Sequence, residues 1–210
     1  MSLWDILTGR SRTADTGVTV KDWIVDHTDA DLAIADIGPF DTPEGKCAMI
    51  DPLVFAQPPD WISIPTEGAQ LVAFRDLIDG RNSKLALIFP GGTVAGGAEA
   101  GVCLVDAGMA SVFTPATHAA MDRFIRALPE GANPYDDYFS TYDDPAGGEH
   151  KIVALPDGTP VPYIHSGWGD GAYPVFTLTD MAGVVIAVYT DFMGTNDDGD
   201  WLLPPGVTLD

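Results

Sequence analysis

The chain predicts a mainly β protein of the α+β class, built as antiparallel, sandwich-like sheets with a packed helix. Three observations carry this. Roughly nine short apolar runs are separated by Gly, Pro, Asn and Asp clusters, which is the spacing of strands and turns. One segment alone, residues 115–128, carries a clear helical period. The longest hairpin signal, AYPVFTLT followed by GVVIAVYTDF, is broken only by Asp180–Gly183. Short strands outnumbering helices in this way fit layered antiparallel sheets.

Taken in order, residues 1–30 read as a peripheral segment, with LWDIL as one amphipathic turn and SRTADTG as a polar separator before VTVKDWIV. Strands are expected at 31–40, where Leu32 and Ile34 precede Gly38–Pro39, and at 46–53, stopped by Asp51–Pro52. Pro58, Pro59 and Pro65 make 54–66 a stiff connection. Residues 68–78 and 84–89 form strands around the turn Asp79–Gly80. Residues 90–101 hold five glycines and read as a loop. This loop has neither the Gly-Lys-Ser/Thr ending of a phosphate-binding loop nor a dinucleotide fingerprint. Strands 101–106 and 109–113 meet at Ala107–Gly108.

The helix opens with Thr114 as N-cap and Pro115 at the first helical position, where a missing N–H costs nothing. Met121, Phe124, Ile125 and Leu128 make its apolar face, and Pro129 and Gly131 end it. A second, shorter helix is expected at 135–142. Strands return at 151–155 and 161–165, before the hairpin. The tail, 194–210, is polar and then apolar, with Trp201–Leu203 suited to docking on the body. One domain over 1–210 is expected, long enough to bury a core without disulfides or a structural metal.

The chain carries a formal charge of −21, unevenly spread: in residues 127–210, Lys151 stands alone against fourteen acids. Such a surface repels phosphate backbones, so nucleic-acid binding is not expected. It suits solubility, metal cations or a basic protein partner. No apolar run has the length of a membrane span. The basic residues follow the apolar start, the wrong order for a secretory signal, and a cytoplasmic location is expected. Cys47 and Cys103 lie in apolar runs and read as buried small hydrophobes.

Several constellations are chemically suggestive. The loop bearing His165, Trp168, Asp170 and Tyr173 is interleaved with glycines, which permit close backbone approach, so a ligand can be drawn against it. Turn chemistry explains all of these residues except Trp168. Asp51, Asp106 and Asp191 each end an apolar strand, and converging at one sheet edge they would share a proton or a cation. Asn196, Asp197, Asp198 and Asp200 are hard oxygen ligands, yet the calcium-loop spacing with its downstream Glu is missing. The four histidines show no zinc spacing, and no cofactor is expected. A triad of Cys103, His165 and Asp106 lacks a nucleophile elbow.

The run AMIDPLVF, then GVCLVDAGMASVF, then GDGAYPVFTLTDMAGVVIAVYTDF resembles the bacterial domain-of-unknown-function family 4241. The likeness rests on Asp51–Leu53, Val105–Gly108 and Gly169–Val175 and spans roughly residues 46–193. It implies a fold relation and no established activity, substrate or cofactor. The leading expectation is therefore a non-enzymatic acidic binding protein, immunity-like in neutralising a basic partner. The alternative is a metal-assisted or hydrolytic enzyme using the strand-end aspartates and the Gly-Asp-Gly loop.

Overall fold

The computed structural model describes residues 19–28, 30–54, 59–142 and 150–192. Among these, eleven strands form two antiparallel sheets. Sheet 1 runs β1 (Leu32–Phe40), β4 (Ala69–Asp76), β5 (Asn82–Ile88), β11 (Val185–Asp191), β10 (Gly171–Thr179), β6 (Gly96–Val105). Sheet 2 runs β3 (Ile62–Ser63), β2 (Lys46–Ile50), β7 (Met109–Phe113), β9 (Pro160–His165), β8 (Lys151–Ala154). The helices are α1 (Val20–Asp26), α2 (Pro115–Ala127) and α3 (Pro134–Asp137), the last followed by a 3-10 turn at Phe139–Tyr142.

The sheets lie face to face, with a helix on each outer surface. Strand alternation makes this legible. In β4, Leu71 and Ala73 enter the core between the sheets, while Val72 and Phe74 turn outward beneath α1. In β7, Ala110 and Val112 face the inter-sheet core, and Met109 and Phe113 meet Met121 and Phe124 of α2. Central strands covered on both faces are buried almost continuously, which is why they read as apolar runs rather than as alternating ones.

Both principal helices follow their local chemistry. The Thr114 hydroxyl accepts from the Thr117 N–H at 3.2 Å, and Glu44 Oε1 accepts from the Ala116 N–H at 3.2 Å. Leu128 leaves helical geometry at ψ 145°, as expected of the residue before a proline. Within the segment expected to be peripheral, residues 20–26 form α1 and bury Val20, Trp23 and Ile24 against sheet 1. Seven residues are too few for a helix to persist alone, so this docking holds it.

Several details differ from the sequence expectation, among them β3, a two-residue strand that pairs with β2 from inside the expected connection 54–66. The five-glycine loop ends sooner than expected, because β6 begins at Gly96 and pairs with β10 from Gly96↔Thr179 to Val105↔Gly171. A Cβ on Gly96 would lie 3.2 Å from Thr179 Oγ1, so glycine there permits close strand approach. Gly101, at φ 143°, lies in a bulge that leaves Ala100 unmatched. Pro174 occurs in an interior strand, opposite Val102 and beside that bulge. The second helix is shorter than expected, one α turn passing into a 3-10 turn.

One buried ion pair joins neighbouring strands of sheet 1: Lys84 Nζ donates to Asp191 Oδ2 at 2.5 Å, and both side chains are almost fully enclosed. Removing one partner strands the other charge. Asp191→Ala is expected to cost about 3–5 kcal/mol in urea unfolding, whereas Lys84→Met with Asp191→Leu recovers most of it. A single variant as stable as the parent would show that the pair is not needed.

Candidate functional site

The site is built at the corner where the chain passes from sheet 1 to sheet 2. β6 ends at Val105 and β7 begins at Met109, so residues 106–108 make the whole crossing. Three successive backbone N–H groups there leave both ladders and need acceptors. Asp51, just past β2, supplies two: its Oδ2 accepts from the N–H of Asp106 at 3.0 Å and of Ala107 at 2.7 Å. Asp170, just before β10, supplies the third, its Oδ1 accepting from the Gly108 N–H at 3.1 Å. Asp51 Oδ1 also accepts from the Leu53 N–H at 2.9 Å. The Gly108 carbonyl in turn accepts from the Ser166 N–H at 2.9 Å.

The Gly-Asp-Gly stretch is explained residue by residue. Gly169 has φ 83°, a left-handed conformation that other residues rarely adopt. Its carbonyl accepts from Ser166 Oγ at 2.6 Å and Tyr173 Oη at 3.0 Å. A Cβ on Gly171 would lie 3.3 Å from the Tyr173 ring, so that glycine makes room for the tyrosine. Burial holds the Tyr173 phenol above its usual range, and the Asp170 charge pushes the same way.

Asp51 is 0 % exposed. Burial raises its carboxyl above the usual range, its three backbone donors oppose that, and the neighbouring Asp106 charge reinforces it. Asp106 and Asp170 are exposed and line an open cleft of about 630 Å³. Leu53, Val54, Asn133, Pro134 and Tyr135 complete its walls with Ala107 and Gly108. This volume is ordinary for a small-ligand or side-chain pocket. Two carboxylates and no cationic side chain among these lining residues make it a receptor for positive charge.

The structure thus divides the residues that the sequence singles out. Asp51, Asp106, Asp170 and Tyr173 gather at the corner. His165 and Trp168 stand apart from the cleft: the His165 carbonyl accepts from Asn82 Nδ2 at 2.7 Å, and the Trp168 ring lies 4.0 Å beneath the Arg81 guanidinium. Asp191 is drawn away by Lys84. Cys103 and Cys47 are both buried, with thiols pushed up to about 12 by desolvation, which denies Cys103 a thiolate. Asn196, Asp197, Asp198, Asp200 and Trp201–Leu203 lie outside the described residues. Among the described residues, no three His, Cys, Asp or Glu side chains gather in a metal-holding group. No helix of the described residues is long and apolar enough to cross a membrane.

The cleft wall formed by Asn133–Tyr135 is absent from the sequence reading. Its signal was local: Asn133 Oδ1 accepts from the N–H of Tyr135 and Asp136, and Pro134 follows at the first helical position. That pattern marks a helix start, but nothing in it says which surface the turn faces.

Two measurements check this account. Asp51→Ala leaves three backbone donors without their acceptor and is expected to cost on the order of 3 kcal/mol in chemical unfolding. Asp51→Asn is expected to cost less, about 1–2 kcal/mol, because its carbonyl oxygen can accept from the N–H of Asp106 and Ala107 and only the Leu53 N–H would face its NH₂. Since the folded-state pKa of Asp51 is raised, its ionisation opposes folding, so its contribution is full below pH about 4 and declines as pH rises through the folded pKa. The parent-minus-Asn difference should follow that direction. Separately, Cys47 and Cys103 should remain unlabelled by iodoacetamide at pH about 8 until the chain is unfolded.

Comparison with known proteins gives one family. A model described as a protein of unknown function (DUF4241) matches residues 96–190, from the start of β6 into β11. No curated protein and no solved structure matches the chain. The matched region contains the corner turn Val105–Gly108 and the Gly169–Val175 stretch, whereas Asp51, which ties the corner turn to the end of β2, lies before it. Over β6 to β11 the chain resembles that DUF4241 family.

Proposed function

We propose that the protein acts by binding rather than by turnover, and that it receives a basic protein partner through the cleft of Asp106 and Asp170. The observation that carries this reading is the lining: two carboxylates beside apolar and aromatic walls, with no cation among the lining residues to neutralise them. Leu53, Val54, Pro134 and Tyr135 suit the methylene stem of a lysine or arginine, while the carboxylates suit its head. The charge of −21 adds a long-range field that draws a basic protein and repels nucleic acid. Neutralisation of a basic effector in the cytoplasm, with the logic of an immunity protein, is the concrete form of this reading.

One observation favours a hydrolytic or metal-assisted alternative, namely a raised carboxyl pKa close to a cleft. Asp51 carries that raised value, however, and its carboxylate is sealed from solvent and committed to three backbone donors. A general acid or base must reach the proton it moves. The carboxylates that do reach the cleft are Asp106 and Asp170, and they are placed to hold charge.

The test is calorimetric titration with decalysine. Binding should weaken steeply with salt, and Asp106→Asn with Asp170→Asn should weaken it roughly tenfold, about 1.4 kcal/mol. The amide introduced by Asp170→Asn keeps a carbonyl oxygen for the Gly108 N–H, so the melting temperature should hold. Equal affinity for parent and double variant would sink the cleft as the receiving site.

A further inference from the structure

Sheet edges expose unpaired backbone groups, and proteins guard them with short strands, prolines, bulges and charged side chains. Three of the four edges here are guarded. β1 carries Pro39 and a register break between Asp36 and Gly38, and Lys21 of α1 donates to Asp36 across it. β3 has two residues, and β8 has four and opens on Lys151. β6 differs. It runs for ten residues with no proline, no lysine or arginine, and a single acid, Glu99, and its one bulge, at Ala100–Gly101, leaves Val102–Val105 in unbroken register with β10. β10 borders it on one side, and no strand borders it on the other among the described residues.

The surface beside that edge is apolar. Val102 and Leu104 are 51 % and 62 % exposed on the outward face of β6, and Ala172, paired with Leu104, is exposed beside them. Cys103 and Val105, on the inward face, are buried. Alternate residues of β6 direct their N–H and C=O away from β10. The strand then runs directly into Asp106, so its free edge and the acidic cleft are continuous.

We propose that β6 is a docking edge, taking an extended segment of a basic partner as a seventh strand of sheet 1. This rests on the reading of the cleft as a receptor for positive charge. Apolar side chains of that segment lie beside Val102 and Leu104, and a lysine or arginine running past the strand end reaches Asp106 and Asp170. Backbone pairing supplies affinity and the alternate side chains supply selection, as in other strand additions. Charge decides between occupants. A second copy would bring another chain of net charge −21 against the first, whereas a basic segment is drawn by the same field.

The experiment uses the full chain, labelled with ¹⁵N, and a synthetic ten-residue peptide alternating valine and lysine. Amide shifts should concentrate along residues 96–105, with hydrogen exchange there slowed at least tenfold. The same peptide N-methylated at alternate residues keeps its charge, loses its strand-pairing donors, and should bind at least tenfold more weakly. Equal binding of the two peptides, or no shift along β6 at millimolar peptide, overturns strand addition. The Asp106→Asn, Asp170→Asn variant separates the two readings. If it binds like the parent while N-methylation still weakens binding, the cleft reading fails and the docking edge stands. If it weakens binding while N-methylation does not, the reverse holds. Sedimentation at rising concentration closes the remaining route: a dimer that Leu104→Lys dissolves assigns the edge to a second copy and overturns the basic-partner proposal.

Discussion

The carboxylate of Asp51 is the constraint on which the rest of this architecture depends. A chain that leaves one sheet and enters the next within three residues abandons both hydrogen-bond ladders, and its backbone donors must be met by something else. Asp51 meets two of them while holding Leu53, and Asp170 meets the third from the opposite sheet. One side chain comes from the end of a sheet 2 strand and the other from the start of a sheet 1 strand. The corner is therefore cross-braced, and these hydrogen bonds fix the path of the chain between the two sheets. A buried carboxylate normally costs free energy to ionise. Here the three donors offset part of that cost, and the fold accepts the remainder at the point where the sheets join.

The four layers distribute chemistry unequally. The inter-sheet core and the two helix-covered faces hold apolar side chains, with Lys84–Asp191 as an enclosed exception. Polarity and openness concentrate at the corner, where Asp106 and Asp170 border the cleft, and along β6, whose outward Val102 and Leu104 stay exposed. Cleft and edge adjoin because both follow from a single crossing. The strand that supplies the free edge is also the strand that turns through Asp106.

Much of this was legible in the residues, for identifiable reasons. Thr114 and Pro115 state a helix start in local terms, so α2 is readable without tertiary knowledge. Asp180 and Gly183 state a hairpin in the same way: Asp180 Oδ1 accepts from the N–H of Ala182 and Val184, and Gly183 has φ 77°. The Asp-Pro-Leu, Val-Asp-Ala-Gly and Gly-Asp-Gly stretches stand out in the sequence as separate motifs. Their meeting in space depends on long-range strand order, which local patterns do not encode. The same limit explains the glycine loop that proves partly strand. Gly96 and Gly97 look like loop residues until the opposing Thr179 and Leu178 are known. It also explains why Asp191 reads as a companion of Asp51 and Asp106: all three end apolar strands, but Lys84 lies directly across from only one of them.

The two thiols have a consequence of a different kind. Cys47 and Cys103 are both completely enclosed and remain unpaired. Neither presents a sulfur to an oxidant, to glutathione or to another protein's disulfide without prior unfolding. Folding therefore uncouples both thiols from the redox poise around them, and the native state enters a reducing or an oxidising setting with the same pair of free cysteines.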